Sequence, residues 1–383
     1  MTTDPLTTDR LTTDPATDPA TDPVRVVVVG AGQMGRTWLA AVADSPDVRL
    51  VGVVDLDLAV ARAAAPGVEV GVDVVELAAR TGAQAVIDVA VPAAHHPVTT
   101  AALFAGLPVL GEKPVTDTVA AALSLAAAAE VTGQLFMVSQ SRRWNPQLFA
   151  LHDGIERLGT VGTLTTEFFK GPHLGGFREE MANPLLVDMA IHAFDSARFL
   201  LGAEPLSAYC EAYNPPWSWF AGAAAASAVF EMQGGARYSF NGSWCSRGAD
   251  TSWNGVWRAS GEAGTATWDG ESAPVVDGAL TARPLPGPAG IEAALAAFVE
   301  ALRTGTVPMG EVHENVLSLA MVEAAVRSAA RGERVLVDDV LADAHAAALR
   351  AETRDDVRAA LRGWPSPRAA LTGSVGREWR VVR

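Results

Sequence analysis

The chain has 383 residues, 49% of them apolar, and 29 Lys and Arg against 44 Asp and Glu, for a formal charge of −15. That length exceeds one typical core and predicts two domains of roughly 100–200 residues each. The acidity excludes a phosphate-neutralising stripe for nucleic acid and docking on anionic membranes, and no apolar run reaches the ~18 residues of a membrane span. Cys210 and Cys245 are the only cysteines. They cannot build a disulfide framework or a cysteine zinc cluster, so a reduced, cytoplasmic setting is expected, with no metal.

Residues 1–23 repeat Thr-Asp-Pro with almost no apolar side chains. Each Pro disfavours helix at the residue before it, and nothing offsets the entropy of ordering. This stretch is expected to be a disordered acidic tail. It has neither the basic start nor the apolar run of a signal peptide.

From Val24 the pattern changes abruptly. VRVVVVG is an unbroken β-branched run, as in a parallel strand covered on both faces. Gly30-Ala31-Gly32-Gln33-Met34-Gly35 opens a helical stretch to Ala43, and a second strand ends at Asp55. The layout is that of a dinucleotide site. Gly30 serves the tight turn, Gly32 lets backbone N–H groups approach a pyrophosphate, and Gly35 lets helix and strand pack closely. Asp55 would accept hydrogen bonds from a ribose, and with Asp57 would repel a 2′-phosphate, favouring NAD over NADP. Arg36 and Arg62 are the cations that could meet such a phosphate instead.

The βα alternation continues. Ala83–Pro92 reads as a strand, Pro97–Ala105 as a helix, Leu107–Pro114 as strand and turn, Thr116–Val131 as a helix and Leu135–Ser139 as a strand. This predicts a doubly wound parallel Rossmann sheet over residues 24–140.

Four motifs then come in order: Gly30–Gly35, Pro92-Ala93-Ala94-His95-His96, Gly111-Glu112-Lys113-Pro114 and Ser141-Arg142-Arg143-Trp144-Asn145-Pro146. With them the chain resembles the Gfo/Idh/MocA family of NAD(P)-dependent oxidoreductases. The resemblance implies that Lys113 of Glu112-Lys113-Pro114 reaches both nicotinamide ribose and substrate hydroxyl. A lysine ending a buried parallel strand also sits where open α/β sheets bind ligands. The family's Pro-x-x-x-His places His96, four residues after Pro92, near the nicotinamide, with His95 an off-by-one competitor. Either histidine could instead simply precede a helix started by Pro97. Gln33, Met34, Pro92 and Glu112 join the expected cofactor contacts.

Residues 141–338 are expected to form an α+β domain with a large, mostly antiparallel open sheet. Thr163–Lys170 alternates as a strand, and Pro184 to Gly202 reads as one helix carrying Asp188 and His192 at i,i+4. A carboxylate and an imidazole on an otherwise apolar helix must serve each other or a ligand. Asp195 and Arg198 read as a structural ion pair. The family carries Asp-x-x-x-His here. The match implies His192 as general base toward a substrate hydroxyl, Asp188 as its hydrogen-bonded orienting partner, and Lys113 as stabiliser of the developing alkoxide. Arg143, Trp144, Lys170 and Asn183 are candidate substrate contacts. Many members have Gly-Gly before this helix. Here Met181-Ala182-Asn183-Pro184 stands instead.

The tryptophans of the second half read as core or subunit interface, and the resemblance implies a homodimer or homotetramer through the C-terminal sheet. Residues 339–383 form an extension expected to be partly helical. The activity implied is hydride transfer between nicotinamide and a secondary alcohol or ketone of a sugar, cyclitol or polyol. The same site residues would serve a lyase or glycosidase using NAD transiently, and the same fold could host a nucleotide-sensing regulator.

Overall fold

A computed structural model of the chain describes residues 22–280, 288–373 and 379–380. The Thr-Asp-Pro repeat lies outside them apart from its last two positions.

Six strands form the first sheet: β1 Val24–Val29, β2 Val48–Val54, β3 Glu69–Gly71, β4 Ala85–Asp88, β5 Val109–Glu112 and β6 Phe136–Ser139. They run parallel in the order β3-β2-β1-β4-β5-β6. The order reverses at β1, which places a crevice beyond the carboxyl ends of β1 and β4, where doubly wound sheets take ligands. The helices between them are α1 Gln33–Asp44, α2 Leu58–Ala64, α3 Val74–Thr81, α4 Pro92–Phe104 and α5 Val119–Thr132. Asp57, Asp73 and Thr118 cap α2, α3 and α5 through their side-chain oxygens.

Helix α4 begins at Pro92, five residues before the expected start, and Pro97 lies inside it. Both prolines fit a first helical turn, where the missing N–H costs nothing, so sequence alone did not choose between them. The choice matters, because it winds His95 and His96 into the first turn of α4.

After α6 (Pro146–Glu156) a second sheet is built from β7 Val161–Phe169, β8 Pro205–Tyr213, β9 Ala225–Met232, β10 Arg237–Ser243, β11 Val256–Gly261, β12 Gly264–Trp268, β13 Val275–Val276, β14 Ala279–Leu280 and β15 Val335–Leu336. Its order is β14-β13-β12-β11-β7-β10-β9-β8-β15, and β7–β10 is a parallel pair among antiparallel neighbours. Helix α7 (Ile191–Leu201) lies on the inner face, where Phe194 meets Phe230 edge-on at 4.7 Å between ring centres. Trp244, Trp257 and Trp268 are buried, so these three are core residues. On the outer face Val229, Ser239, Thr165, Arg258 and Thr267 follow one another across the strands, and Tyr209 and Tyr213 stand exposed beside them.

Pro184 to Gly202 is not one α-helix. Leu185–Ala190 form a π-helical turn before α7. The wider turn shifts the phase between Asp188 and His192, so the α-helical i,i+4 rule does not apply to them.

Helices α8 (Gly290–Thr304) and α9 (Val312–Arg331) are followed by α10 Val337–Ala351, α11 Asp355–Gly363 and α12 Pro367–Thr372. The C-terminal extension is thus helical to Thr372. It explains α5, whose Ala/Leu/Val sequence has no polar stripe. Helices α4, α9, α10 and α11 surround it, so all its faces are buried.

Candidate active site between the two sheets

The glycine loop follows β1. Gly30 has φ +94°, and a Cβ there would stand 2.7 Å from the Val89 carbonyl oxygen. A Cβ on Gly35 would stand 2.1 Å from the Gly30 oxygen, so Gly35 permits close contact of α1 with the loop. A Cβ on Gly32 would meet nothing within 4 Å, and Gly32 is the N-cap of α1. The N-terminus of α1, with no side-chain cap, thus has open space beside Gly32, a cradle suited to a pyrophosphate. Gln33 and Met34, next in the loop, are exposed. Asp55 ends β2 and accepts hydrogen bonds from Ala31 N–H and Asp57 N–H, both at 2.9 Å. One bond ties the acid to the glycine loop. Asp57 itself spends its carboxylate on capping α2. The donors, acceptor and open space fit a dinucleotide.

At the end of β5, Glu112 turns inward. Its carboxylate accepts from Trp38 Nε1 at 2.9 Å and from Lys113 N–H at 3.0 Å. Burial pushes its pKa up, opposed by the Lys113 charge and these bonds. Glu112 was expected at the cofactor. It instead ties α1 to the β5 turn, and so sets the position of Lys113.

The two histidines differ in what they touch. His95 is buried and its ring nitrogens lie 2.9 Å from the Pro114 and Ala90 carbonyl oxygens, bridging the loops after β4 and β5. His96 points toward α5, 3.2 Å from Ser124 Oγ, which bonds Glu352 at the C-terminal cap of α10. Adjacent helical residues point about 100° apart, and His95 is the one that lies against the loops after β4 and β5.

Lys113 crosses to the second domain. Its Nζ donates to Asp188 Oδ1 at 2.9 Å and to the Asp188 carbonyl at 3.0 Å. Arg178 Nε donates to Asp188 Oδ2 at 2.7 Å. Burial would raise the Asp188 pKa, but Lys113 and Arg178 outweigh it and hold the carboxyl below its usual range. His192 is buried and its Nδ1 has no partner among the described residues. Burial, with the charges of Arg142 and Lys113, holds its pKa well below 6.5. The expected Asp188–His192 hydrogen bond is therefore not formed. Asp188 serves two cations, and His192 stands neutral beside them.

The cavity in front of His192 is lined by Arg142, Thr166, Phe168, Asn254 and Trp257, among others. Arg142 donates to the Trp253 carbonyl. Burial pulls its pKa down to about 10 against the Asp188 charge. Arg143, expected to touch substrate, is instead buried in the domain core. Its Nε and a terminal nitrogen clamp Asp195 at 2.6 and 2.8 Å, and it also pairs with Glu314. Asp195 is thus taken by Arg143, and Arg198 pairs with Glu204 at 2.6 Å instead of with Asp195. Ser318 bridges the two. Trp144 packs toward Phe149, with ring centres 6.5 Å apart. Lys170 Nζ lies 3.3 Å from Asp250 and 5.2 Å from the centre of the Trp253 ring. Asn183 gives its carbonyl to Val187 N–H at the π-helical turn. Arg142 was one residue from a candidate, so its motif carried a signal. Arg178 lies in a single 3-10 turn, Gly176–Glu180, within the connection between β7 and the π-helical turn, and nothing in the sequence marked it.

Two profiles of one family match the chain: the NAD-binding Rossmann domain of the Gfo/Idh/MocA oxidoreductases over residues 24–140, and a Gfo/Idh/MocA C-terminal domain over residues 155–267. Protein y4oX of Sinorhizobium fredii is 28% identical over 83% of this chain and 96% of its own length. An inositol 2-dehydrogenase of Rhizobium meliloti is 33% identical over 48% of this chain, and the match spans 57% of that protein. A crystal structure of a putative myo-inositol dehydrogenase from Sinorhizobium meliloti superposes with TM-score 0.70 at 25% identity, over 82% of this chain and 99% of that one. Matched over both its domains, this chain belongs to the Gfo/Idh/MocA family of NAD-binding oxidoreductases.

Proposed function

We propose that the protein is an NAD-preferring dehydrogenase or reductase acting on a secondary alcohol or ketone of a sugar, cyclitol or related polyol. The observation that carries this reading is the meeting of Lys113, Asp188 and His192 across the two domains. Bound NAD would lie along Gly30–Gly35 with its adenosine ribose on Asp55, and would accept hydride from the carbinol carbon. The chain's own residues handle the proton. A carbinol loses hydride readily only as its hydroxyl proton departs, and a buried neutral imidazole is an acceptor for that proton. Lys113, held by two acceptors on Asp188, offers an ammonium to the developing alkoxide. A nucleotide sensor would need neither group. The inositol 2-dehydrogenase likeness supports a cyclic polyol as substrate class.

The exposed outer face of the second sheet, with Tyr209, Tyr213, Val229 and Val256, supports a homo-oligomer paired through it. The test of function is NADH formation, followed by absorbance, across inositols, aldoses and polyols, with the keto forms and NADH in the reverse direction. Absence of turnover in either direction, with NAD bound, would sink the reading.

A further inference from the structure

The loop between β7 and the π-helical turn carries a cation that the family motifs do not mark. Arg178 Nε bonds Asp188 Oδ2 at 2.7 Å, opposite the oxygen taken by Lys113 at 2.9 Å. The loop is not loosely placed. Gly175 and Gly176, at φ +66° and +70°, turn the chain into it, and the Arg178 guanidinium lies 4.8 Å from the centre of the Phe177 ring. Ala221 N–H bonds the Glu179 carbonyl, and Ala223 N–H bonds the Ala182 carbonyl, both at 2.8 Å. Asp188 therefore sits between two fixed cations, while His192, four positions on, has an unpartnered Nδ1.

We propose that Arg178 is a positioning residue that holds the Asp188 carboxylate on Lys113 and keeps it off His192. Without Arg178, Asp188 loses one of the two side chains that hold it, and the freed oxygen is able to turn toward His192, four positions on, whose Nδ1 has no partner among the described residues. The groups that face each member are few. Arg142 and Lys113 act on His192, and Lys113 and Arg178 act on Asp188, with Arg142 in range of its charge. On the opposing sheet, Thr166, Phe168, Phe240, Asn254, Trp257 and Trp268 bring no titratable side chain to the cavity. The site thus separates two tasks. Asp188 keeps the Lys113 ammonium in place, and His192 stays unprotonated and free to take a proton. A carboxylate on His192 would stabilise the imidazolium and leave the base already protonated at mildly acid pH.

The inference rests on the dehydrogenase reading above, and its test does not depend on turnover. Imidazole resonances of His192, assigned by loss in His192→Gln, are titrated in the wild type, Arg178→Met and Arg178→Lys. The wild-type imidazole should stay neutral well below pH 6.5. Arg178→Met should raise its midpoint by about one pH unit or more, the tenfold change expected when an imidazolium gains a carboxylate partner. Arg178→Lys should restore most of the wild-type midpoint. With an active substrate, Arg178→Met should lower kcat by about tenfold or more, shift the acid limb of the kcat profile upward, and change KM little. Should Arg178→Met not fold, Arg178→Gln supplies the same reading, since it keeps a donor without the charge. An unchanged His192 midpoint in the uncharged variant overturns the proposal, whatever happens to activity. A rise in KM alone also overturns it, and would make Arg178 a substrate contact. If the wild type oxidises no alcohol, the dehydrogenase reading falls while the His192 titration still decides the role of Arg178.

Discussion

Asp188 and His192 stand four positions apart, yet the Asp188 carboxylate is bonded to Lys113 at 2.9 Å and Arg178 at 2.7 Å, and His192 Nδ1 is buried without a partner among the described residues. The π-helical turn at Leu185–Ala190 separates them. On the reading proposed above the two residues perform separate tasks, and this relationship orders the expected behaviour of the variants.

His192→Ala should reduce turnover by about 10²–10⁴-fold while NAD affinity stays near wild type. Lys113→Ala should reduce turnover and also weaken NAD binding, since Lys113 directly follows β5 at the carboxyl edge of the first sheet, where doubly wound sheets take ligands. Asp188→Asn should resemble Lys113→Ala more than His192→Ala, because it removes the charge that anchors Lys113. Steady-state kinetics with NAD titrations check the order. Near-normal turnover in His192→Ala across pH 6–9 would shift the role of proton acceptor to Lys113.

Acid should destabilise the fold partly through His192. The imidazole ordinarily titrates at 6.5 and is held well below that by burial. Below pH 6.5 the unfolded chain takes up a proton that the folded one refuses, so stability falls with pH until the folded value is reached. The slope from this group is at most about 1.4 kcal/mol per pH unit. His192→Gln should flatten the loss of stability between pH 6.5 and 5 in urea unfolding. An unchanged slope would mean that the imidazole titrates normally in the fold.

Arg143→Met should destabilise the protein by about 3–5 kcal/mol, because it strands a buried Asp195 carboxylate. The reading is the shift of the urea midpoint. A variant of normal stability with raised substrate KM would return Arg143 to the pocket.

Leu361→Ala should cost about 2–5 kcal/mol, as a fully buried side chain of α11 packed against α5 leaves a cavity. NAD affinity should be unaffected, since α5 lies away from the glycine loop. Loss of NAD binding at retained stability would contradict this placement of the C-terminal helices.

NAD should bind at least about tenfold tighter than NADP, a difference of about 1.4 kcal/mol. Asp55→Ala should erase that preference and weaken both, because it also removes the bond to Ala31 N–H at 2.9 Å. Equal binding of the two by the wild type in fluorescence titration would point to Arg36 or Arg62.

The sequence by itself determined what local chemistry dictates. A β-branched run, three glycines at the required spacing and an acid 20 residues beyond Gly35 specify a strand, a turn and a helix whose geometry is set over a few residues. Two domains were expected from length alone, and Lys113, Asp188 and His192 entered through the family resemblance; the fold brings the Lys113 ammonium onto Asp188. Tertiary structure decided which way neighbouring side chains face. His95 rather than His96 bridges the strand ends, and Arg142 rather than Arg143 lines the cavity. Adjacent residues on a tight helix point about 100–120° apart. Which one reaches the site depends on where the helix begins and on what packs against it, not on the motif that contains both. The same holds for Asp188, whose partners come from β5 and from the loop carrying Arg178, 75 and 10 residues away in the chain. It holds as well for α5, whose uniformly apolar surface is buried in part by α10 and α11, which begin more than 200 residues later. Long-range pairing of this kind leaves no periodic trace in either partner, so it appears only when the chain is folded.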